Sequence, residues 1–444
     1  MLELPTALRD FAESLERDGV TLYAVGGSVR DALLGREVHD VDLASRLRPE
    51  EMLERAKANG VPARIVQQTL GTVLLTIDGT DYEHTTFRTE SYGAGGVHRP
   101  DAVRFSDSPE VDAFRRDFSV NALYESVTDG TILDPTGGLA DLENRVLRTT
   151  TKDPAVILRD DGLRILRLVR FAAALDFSID PLTLEAAKAN AALLDDVAWE
   201  RRRQELDKIL LGPRVFEALS MLHDVGALPY LLPELVLCEG MEQRKDYHKY
   251  DVLTHLFHTC ENTPEEPALR LAGLLHDVGK PEAYRRDGKL YAHDVYGAEI
   301  ARTMLKRLRY PNALIERVCG VIRIHMFDLK DEASDATIRK RFAEFGRERT
   351  EDLIAIREAD IRGSGYQTDY VAERWRKVLQ DMINERVPFS EEALAVTGRD
   401  IMEELGISAG ERVGTIKRRL LLHCAVHPEE NRREILLKRM HDCR

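Results

Sequence analysis

Apolar positions change rhythm about a third of the way along the chain. Up to about residue 150 they come in short runs. Thr21–Gly26 (TLYAVG) predicts a strand running into a glycine turn, and Ser28–Leu34 a helix that Gly35 is suited to stop. Val38–Ala44 (VHDVDLA) alternates as a second strand, Gly71–Ile77 and Asp81–Phe87 add two more, and the glycine-rich Glu90–Pro100 predicts a mobile loop. Beyond Thr150 the period lengthens. Asp153-Pro154 is a helix start, and Leu158, Ile165, Leu166, Val169 and Ala173 recur at helical spacing behind it. Further helices are expected over Leu182–Leu194, Arg202–Leu211, Val215–His223, Val252–Glu261 and Leu269–His276. The fold class is α+β: a small mixed head followed by a long all-helical body.

Composition narrows the function classes. At 444 residues the chain exceeds one ordinary core, and 43% hydrophobic with 32% charged residues excludes disordered and fibrous classes. No apolar stretch is long enough to cross a bilayer and the first residues carry no signal-peptide core, so cytoplasmic residence and no membrane partner are expected. Cys238, Cys260, Cys319, Cys424 and Cys443 lie far apart without a C-x-x-C pair, which argues for reduced thiols. A net charge of −14 excludes a promiscuous nucleic-acid coat, although a local basic face is still compatible with one RNA.

Gly26-Gly27-Ser28 sits between a predicted strand and helix, where backbone N–H groups and a helix N-terminus can approach an anion. Thirteen residues on, Asp40 and Asp42 flank Val41. A strand period of two puts both carboxylates on one face and Val41 toward the core. Two such carboxylates repel unless a cation lies between them, and Mg²⁺ takes oxygen ligands of this kind together with phosphate oxygens. Paired ions there would activate a hydroxyl and steady a leaving pyrophosphate. Glu83 is a candidate third carboxylate.

These residues, Gly26-Gly27-Ser28-Val29-Arg30-Asp31 with Asp40-Val41-Asp42, resemble the signature of the class II tRNA nucleotidyltransferase and poly(A) polymerase family, over about residues 20–215. The resemblance implies a DNA polymerase β-like head, a helical neck, Mg²⁺ in the head, and CTP, ATP and a tRNA acceptor end as partners. Arg115 to Asn121 (RRDFSVN) is similar to the family's ribose- and triphosphate-holding motif, with Arg116, Asp117 and Asn121 as its polar members. Asp117 and Asn121, one helical turn apart, can share sugar hydroxyls. Asp134 to Asp141 resembles the segment between head and neck. Asp160 to Arg164 (DDGLR) resembles the nucleotide-selecting motif, with Asp where the family usually has Glu at position 160. Asp161 and Arg164, at i and i+3, are expected to share a helix face. A carboxylate that accepts and a guanidinium that donates match cytosine and adenine and mismatch guanine and uracil. Arg167 and Arg170 extend the cationic side toward triphosphate or primer, and Glu200 to Glu205 (ERRRQE) resembles a bracing helix.

Gln67–Val73 looks like the tRNA-specific branch, and the full-length Thr89–Pro100 favours addition of CMP, CMP and AMP over CC-only addition. A-only or CC-only addition, poly(A) synthesis, and a phosphohydrolase whose head only binds nucleotide stay open as alternatives. In the body, His255, His276-Asp277, His293, His325 and Asp360 resemble the HD phosphohydrolase pattern, with Lys280 at a phosphate-facing position. Imidazole with carboxylate suits Mn, Fe, Ni or Zn. Arg412–Arg444 carries a net charge of +5, and resemblance assigns it to the tRNA elbow. The expected division is a head over 1–147, a neck over 148–222, an HD domain over 223–365 and a tail over 366–444. The sequence leaves the oligomeric state open.

Overall fold

The computed structural model describes residues 2–91, 102–328, 330–366 and 371–441, in two compact units, Met1–Leu231 and Leu232–Arg444. The first is built on a seven-stranded sheet. Its strands are β1 (Tyr23–Val25), β2 (Asp42–Ser45), β3 (Ala63–Gln67), β4 (Thr72–Ile77), β5 (Thr80–Thr86), β8 (Tyr124–Ser126) and β9 (Ile132–Leu133), in the order β3-β4-β5-β2-β1-β8-β9. Between β5 and β8 in the chain, β6 (Arg88–Ser91) and β7 (Ala102–Phe105) form a separate antiparallel ribbon. The residues expected to loop out between them lie mostly outside the described ones.

Val73, Leu75 and Ile77 are buried in alternation along β4, whereas Leu43, Ala44 and Ser45 of β2 are buried in succession. The helix Thr6–Glu16 buries Leu8, Phe11, Ala12 and Leu15, one face of a 3.6-residue period. Strand β2 runs antiparallel to β1 and parallel to β5, so it is central and its apolar residues are covered.

The helices Pro154–Asp160, Leu163–Leu175, Pro181–Ala189 and Trp199–Leu210 follow in the same unit. The expected single helix over Leu182–Leu194 is instead an α-helix ending at Ala189 and a 3₁₀ segment, Ala191–Asp196, with Asn190 between them. Asn190 Nδ2 turns back to the Ala186 carbonyl, the local competition with helix hydrogen bonding that makes Asn a frequent terminator.

The second unit is helical. Val252–Asn262 packs against Pro267–Leu275 and Arg347–Gly363. The remainder is organised around Trp375, fully buried between Phe327 and Phe342, in a core that also takes Ile416, Leu420, Leu421 and Leu436. Cys238, Cys260, Cys319 and Cys424 are buried free thiols, and Cys443 lies outside the described residues. Among the described residues no helix is long and apolar enough to cross a membrane.

Candidate active site and metal cluster

Strand β1 ends where Gly26 turns the chain at φ +78°, a conformation costly for any residue with a Cβ. A Cβ there would also sit 3.3 Å from the Arg116 guanidinium. The ladder therefore runs only from Tyr23↔Ala44 to Val25↔Asp42. This corrects the expected strand over Val38–Ala44. Asp42 is the first residue of β2, while Asp40 and half-buried Val41 precede it, because β1 is too short to pair with them.

The two carboxylates still interact. Desolvation pushes the Asp42 carboxyl up, Asp40 adds to the rise, and Arg116 opposes it. Glu83, on β5 one residue before the Leu43↔His84 pair, is raised by desolvation and then by Asp42. Asp40 and Glu83 thus each interact with Asp42, which lies beside the Gly26-Gly27 turn. Asp40, Asp42 and Glu83 are exposed, an all-oxygen donor set suited to Mg²⁺.

The second motif is organised by a residue that sequence reading missed. Asp112, 1% exposed, accepts from Arg115 Nε (2.8 Å), Arg116 Nη2 (3.2 Å) and the Tyr124 hydroxyl (2.7 Å). Burial raises its carboxyl, but the two arginines and Tyr124 more than offset this and bring it down to about 2. Arg116 also donates to Tyr124 Oη at 3.0 Å, which fixes its guanidinium against Gly26.

Asp117 and Asn121 are brought together, though not on an α-helix as expected. The helix Pro109–Phe114 ends before them, and Ser119–Asn121 is one 3₁₀ turn. Asn121 Nδ2 donates to Asp117 Oδ1 at 3.3 Å, and Arg30 donates to Asn121 Oδ1. Ser28 is buried, its hydroxyl donating to the Val25 carbonyl at 3.1 Å.

The selecting segment differs most from expectation. Asp161 and Arg164 share no helix face, because the helix breaks at Asp161 (φ −150°, ψ 108°) and restarts at Leu163. A Cβ on Gly162 would lie 2.8 Å from the Leu193 carbonyl oxygen, so the bend is pressed against the 3₁₀ segment. Asp161 Oδ1 accepts from Leu163 N, and its Oδ2 takes the Arg201 guanidinium at 2.6 Å. Arg164, buried, donates to the carbonyls of Ile157 and Arg115, both at 2.9 Å, with Asp160 3.8 Å away.

Arg167 binds Asp117 at 2.6 Å and Arg170 binds buried Glu205 at 2.7 Å. Burial raises the Asp117 carboxyl, and Arg167 with Arg164 overturns that and holds it below the ordinary range. The guanidinium groups of Arg30, Arg167 and Arg170 all lie within 5.3 Å of the Phe171 ring centroid. Arg201 and Phe171 were not singled out from sequence. Three consecutive arginines look alike, and only helix phase separates Arg201, on Asp161, from Arg202, buried on backbone carbonyls.

In the second unit all six expected ligands converge. His255 Nε2 lies 3.2 Å from His276 Nε2 and 3.1 Å from Asp360 Oδ1, and His276 Nε2 is 3.3 Å from Asp277 Oδ2. His293 Nε2 lies 3.2 Å from His325 Nε2 and 3.1 Å from Asp277 Oδ1. The four histidines and Asp277 are buried. Lys280 donates to Asp277 Oδ2 and Gln243 Oε1, both at 2.5 Å. Over the cluster opens a cleft of about 790 Å³ lined by Tyr247, Tyr291, Tyr366, Lys280 and Arg357. Nitrogen and carboxylate donors this close suit a transition metal.

Three arginines of the basic tail are engaged in ion pairs. Arg418 binds Glu344 at 2.6 Å, Arg433 binds Asp400 at 2.6 Å and Arg439 binds Glu430 at 3.1 Å.

Three family models match the chain: Poly A polymerase head domain over residues 22–148, "Probable RNA and SrmB- binding site of polymerase A" over 176–238, and HD domain over 246–362. A CCA-adding enzyme of Pediococcus pentosaceus is 32% identical over 93% of this chain and 92% of its own. A CC-adding tRNA nucleotidyltransferase of Thermus thermophilus is 34% identical over 90% and 88%. The crystal structure of Bacillus stearothermophilus CCA-adding enzyme in complex with CTP superposes with a TM-score of 0.75 at 26% identity, covering 100% of this chain and 98% of that one. The HD and nucleotidyltransferase families are metal-dependent, and the HD cluster of this chain holds groups of side chains that could ligate a metal ion.

Proposed function

This chain belongs to the tRNA nucleotidyltransferase family of CCA-adding enzymes, and on that premise we propose that it adds CMP, CMP and AMP to tRNA 3′ ends from CTP and ATP without a nucleic-acid template. The observation that carries the proposal is the Asp42 carboxylate at the end of β2, paired across the ladder with the residue before the Gly26-Gly27 turn and electrostatically coupled to Asp40. Asp40 and Asp42 would hold Mg²⁺. When bound, Mg²⁺ supplies positive charge that favours ionisation of an attacking hydroxyl and departure of pyrophosphate. Backbone N–H groups of the glycine turn and the Arg116 guanidinium above it are placed for the triphosphate. Asn121 and Asp117, oriented by Arg30 and Arg167, are placed for ribose hydroxyls.

Base choice falls to Asp161 and Arg164. Arg201 engages the carboxylate and two backbone carbonyls hold the guanidinium, so the acceptor and donor edges are each oriented before a base arrives. A mismatched donor or acceptor costs about 1–3 kcal/mol, which is enough to discriminate C and A from G and U. The tRNA elbow is assigned to the C-terminal tail, and localisation to the cytoplasm. The head, neck, HD and tail boundaries stay as in the sequence reading.

A second reading concerns the HD cluster, where convergence of imidazole Nε2 atoms on Asp277 and Asp360 favours a bound Mn, Fe, Ni or Zn ion and hydrolysis of a phosphoester in the cleft. The test is extension of tRNA shortened by one, two or three nucleotides, with labelled CTP and ATP. Each substrate is expected to be restored to CCA and no further. Long A tails, or products that stop at CC, would replace the proposal with one of its alternatives.

A further inference from the structure

Phe171 lies one turn beyond Arg167 on the helix Leu163–Leu175 and directly follows Arg170. Its half-buried ring is a common neighbour of three cations. The guanidinium carbons of Arg170, Arg30 and Arg167 lie 4.0, 5.1 and 5.3 Å from the ring centroid. The ring is itself held in place: buried Phe118 meets it at 79° with 5.9 Å between centroids, the edge-to-face arrangement that aromatic quadrupoles favour.

Each guanidinium is also gripped along an edge by a carboxylate, Arg30 by Asp31 at 2.8 Å, Arg167 by Asp117 at 2.6 Å and Arg170 by Glu205 at 2.7 Å. Two of the three arginines reach the pair placed for ribose. Arg30 donates to Asn121 Oδ1, and Arg167 Nε donates to Asp117 Oδ2 at 2.7 Å. The remaining oxygen, Asp117 Oδ1, accepts from the Phe118 backbone N–H at 2.9 Å and from Asn121 Nδ2 at 3.3 Å. Hydrogen bonds along the edge of a guanidinium leave its plane free to swing, and a contact on its face removes that freedom. A saturated side chain would fill the same space without attracting a cation.

We infer that Phe171 is a positioning residue for the ribose-holding pair: its ring fixes Arg30 and Arg167, and through them Asn121 and Asp117, and so sets the preference for ribonucleotides over deoxyribonucleotides. This rests on the reading that Asp117 and Asn121 meet the ribose hydroxyls, and it adds a residue that acts without contact to the nucleotide.

The test is single-nucleotide addition by the full chain, with kcat and KM measured for CTP against dCTP on tRNA lacking its last three nucleotides, and for ATP against dATP on tRNA lacking its last one. In Phe171→Leu the ribonucleotide preference in kcat/KM is expected to fall about tenfold, through weaker use of the ribonucleotide, whereas Phe171→Tyr should stay within about twofold of the parent. Replacing Phe171 by 3,4,5-trifluorophenylalanine keeps the ring's shape and removes its negative face, so it should reproduce the leucine result even if the leucine chain does not fold. A preference unchanged in the fluorinated chain, or ribo- and deoxyribonucleotide addition lowered equally, overturns the inference and leaves the ribose reading standing. A parent chain with no ribonucleotide preference overturns both.

Discussion

The two candidate metal sites of this molecule solve opposite problems. In the head, Asp40, Asp42 and Glu83 are exposed, and desolvation and the repulsion of Asp42 by Asp40 and of Glu83 by Asp42 are only partly offset by Arg116 and Arg88. In the HD cluster every histidine is buried and three of four are oriented by a backbone carbonyl before any ion arrives. A site that must admit a triphosphate and an RNA end at each turnover is left open and is completed by its ligands. A site that keeps its ion can be built beforehand. The head does contain a preorganised part, the buried Asp112 with Arg115, Arg116 and Tyr124, and it lies behind the open carboxylates.

The comparison breaks most visibly if the two regions turn out to be interdependent. Asp42→Ala is expected to lower nucleotide addition by at least ~10³-fold while leaving transition-metal content unchanged, and His276→Ala to do the reverse, as primer extension and elemental analysis will show. Second in size is Asp112→Ala, expected to destabilise the protein by about 3–5 kcal/mol in denaturant titration, because it leaves two arginines without their buried partner. The sign of its pH dependence follows from the lowered carboxyl. The stabilisation is full above the ordinary Asp range and is lost as pH falls toward about 2, so the penalty of the variant should shrink in acid.

A smaller contrast is expected from chelation. Removing transition metal should lower the melting temperature by several degrees, since binding to the folded state alone stabilises by mass action, whereas removing Mg²⁺ should shift it little. Equal shifts would erase the distinction drawn here. The smallest effect is expected from Asp42→Asn without metal. A carboxyl raised in the folded state costs stability once ionised, so the neutral side chain should raise the melting temperature slightly at pH 7, and the gain should vanish as pH falls and Asp42 protonates.

Much of this was legible in the sequence, and the failures share one cause. The order of the six HD ligands is an ordinal fact, and the structure gathers them into one cluster, while of Asp40 and Asp42 it shows the electrostatic influence of one on the other. Which residues sit on β2 depends on the length of β1, and that is set by Gly26 rather than by the alternation in β2 itself. Asp161 and Arg164 do not share a helix face because the helix is broken at Gly162, which is pressed against Leu193, thirty-one residues away. Asp112 and Arg201 gave no signal beyond being charged residues on helices, and their partners are fixed only in three dimensions.

The most direct test of the account is to give the full chain a tRNA lacking its last three nucleotides together with all four nucleoside triphosphates, and to sequence the 3′ ends that result. The account predicts ends that read CCA and stop, with G and U rare at every position. Ends carrying runs of A, or C and A in no fixed order, would contradict it.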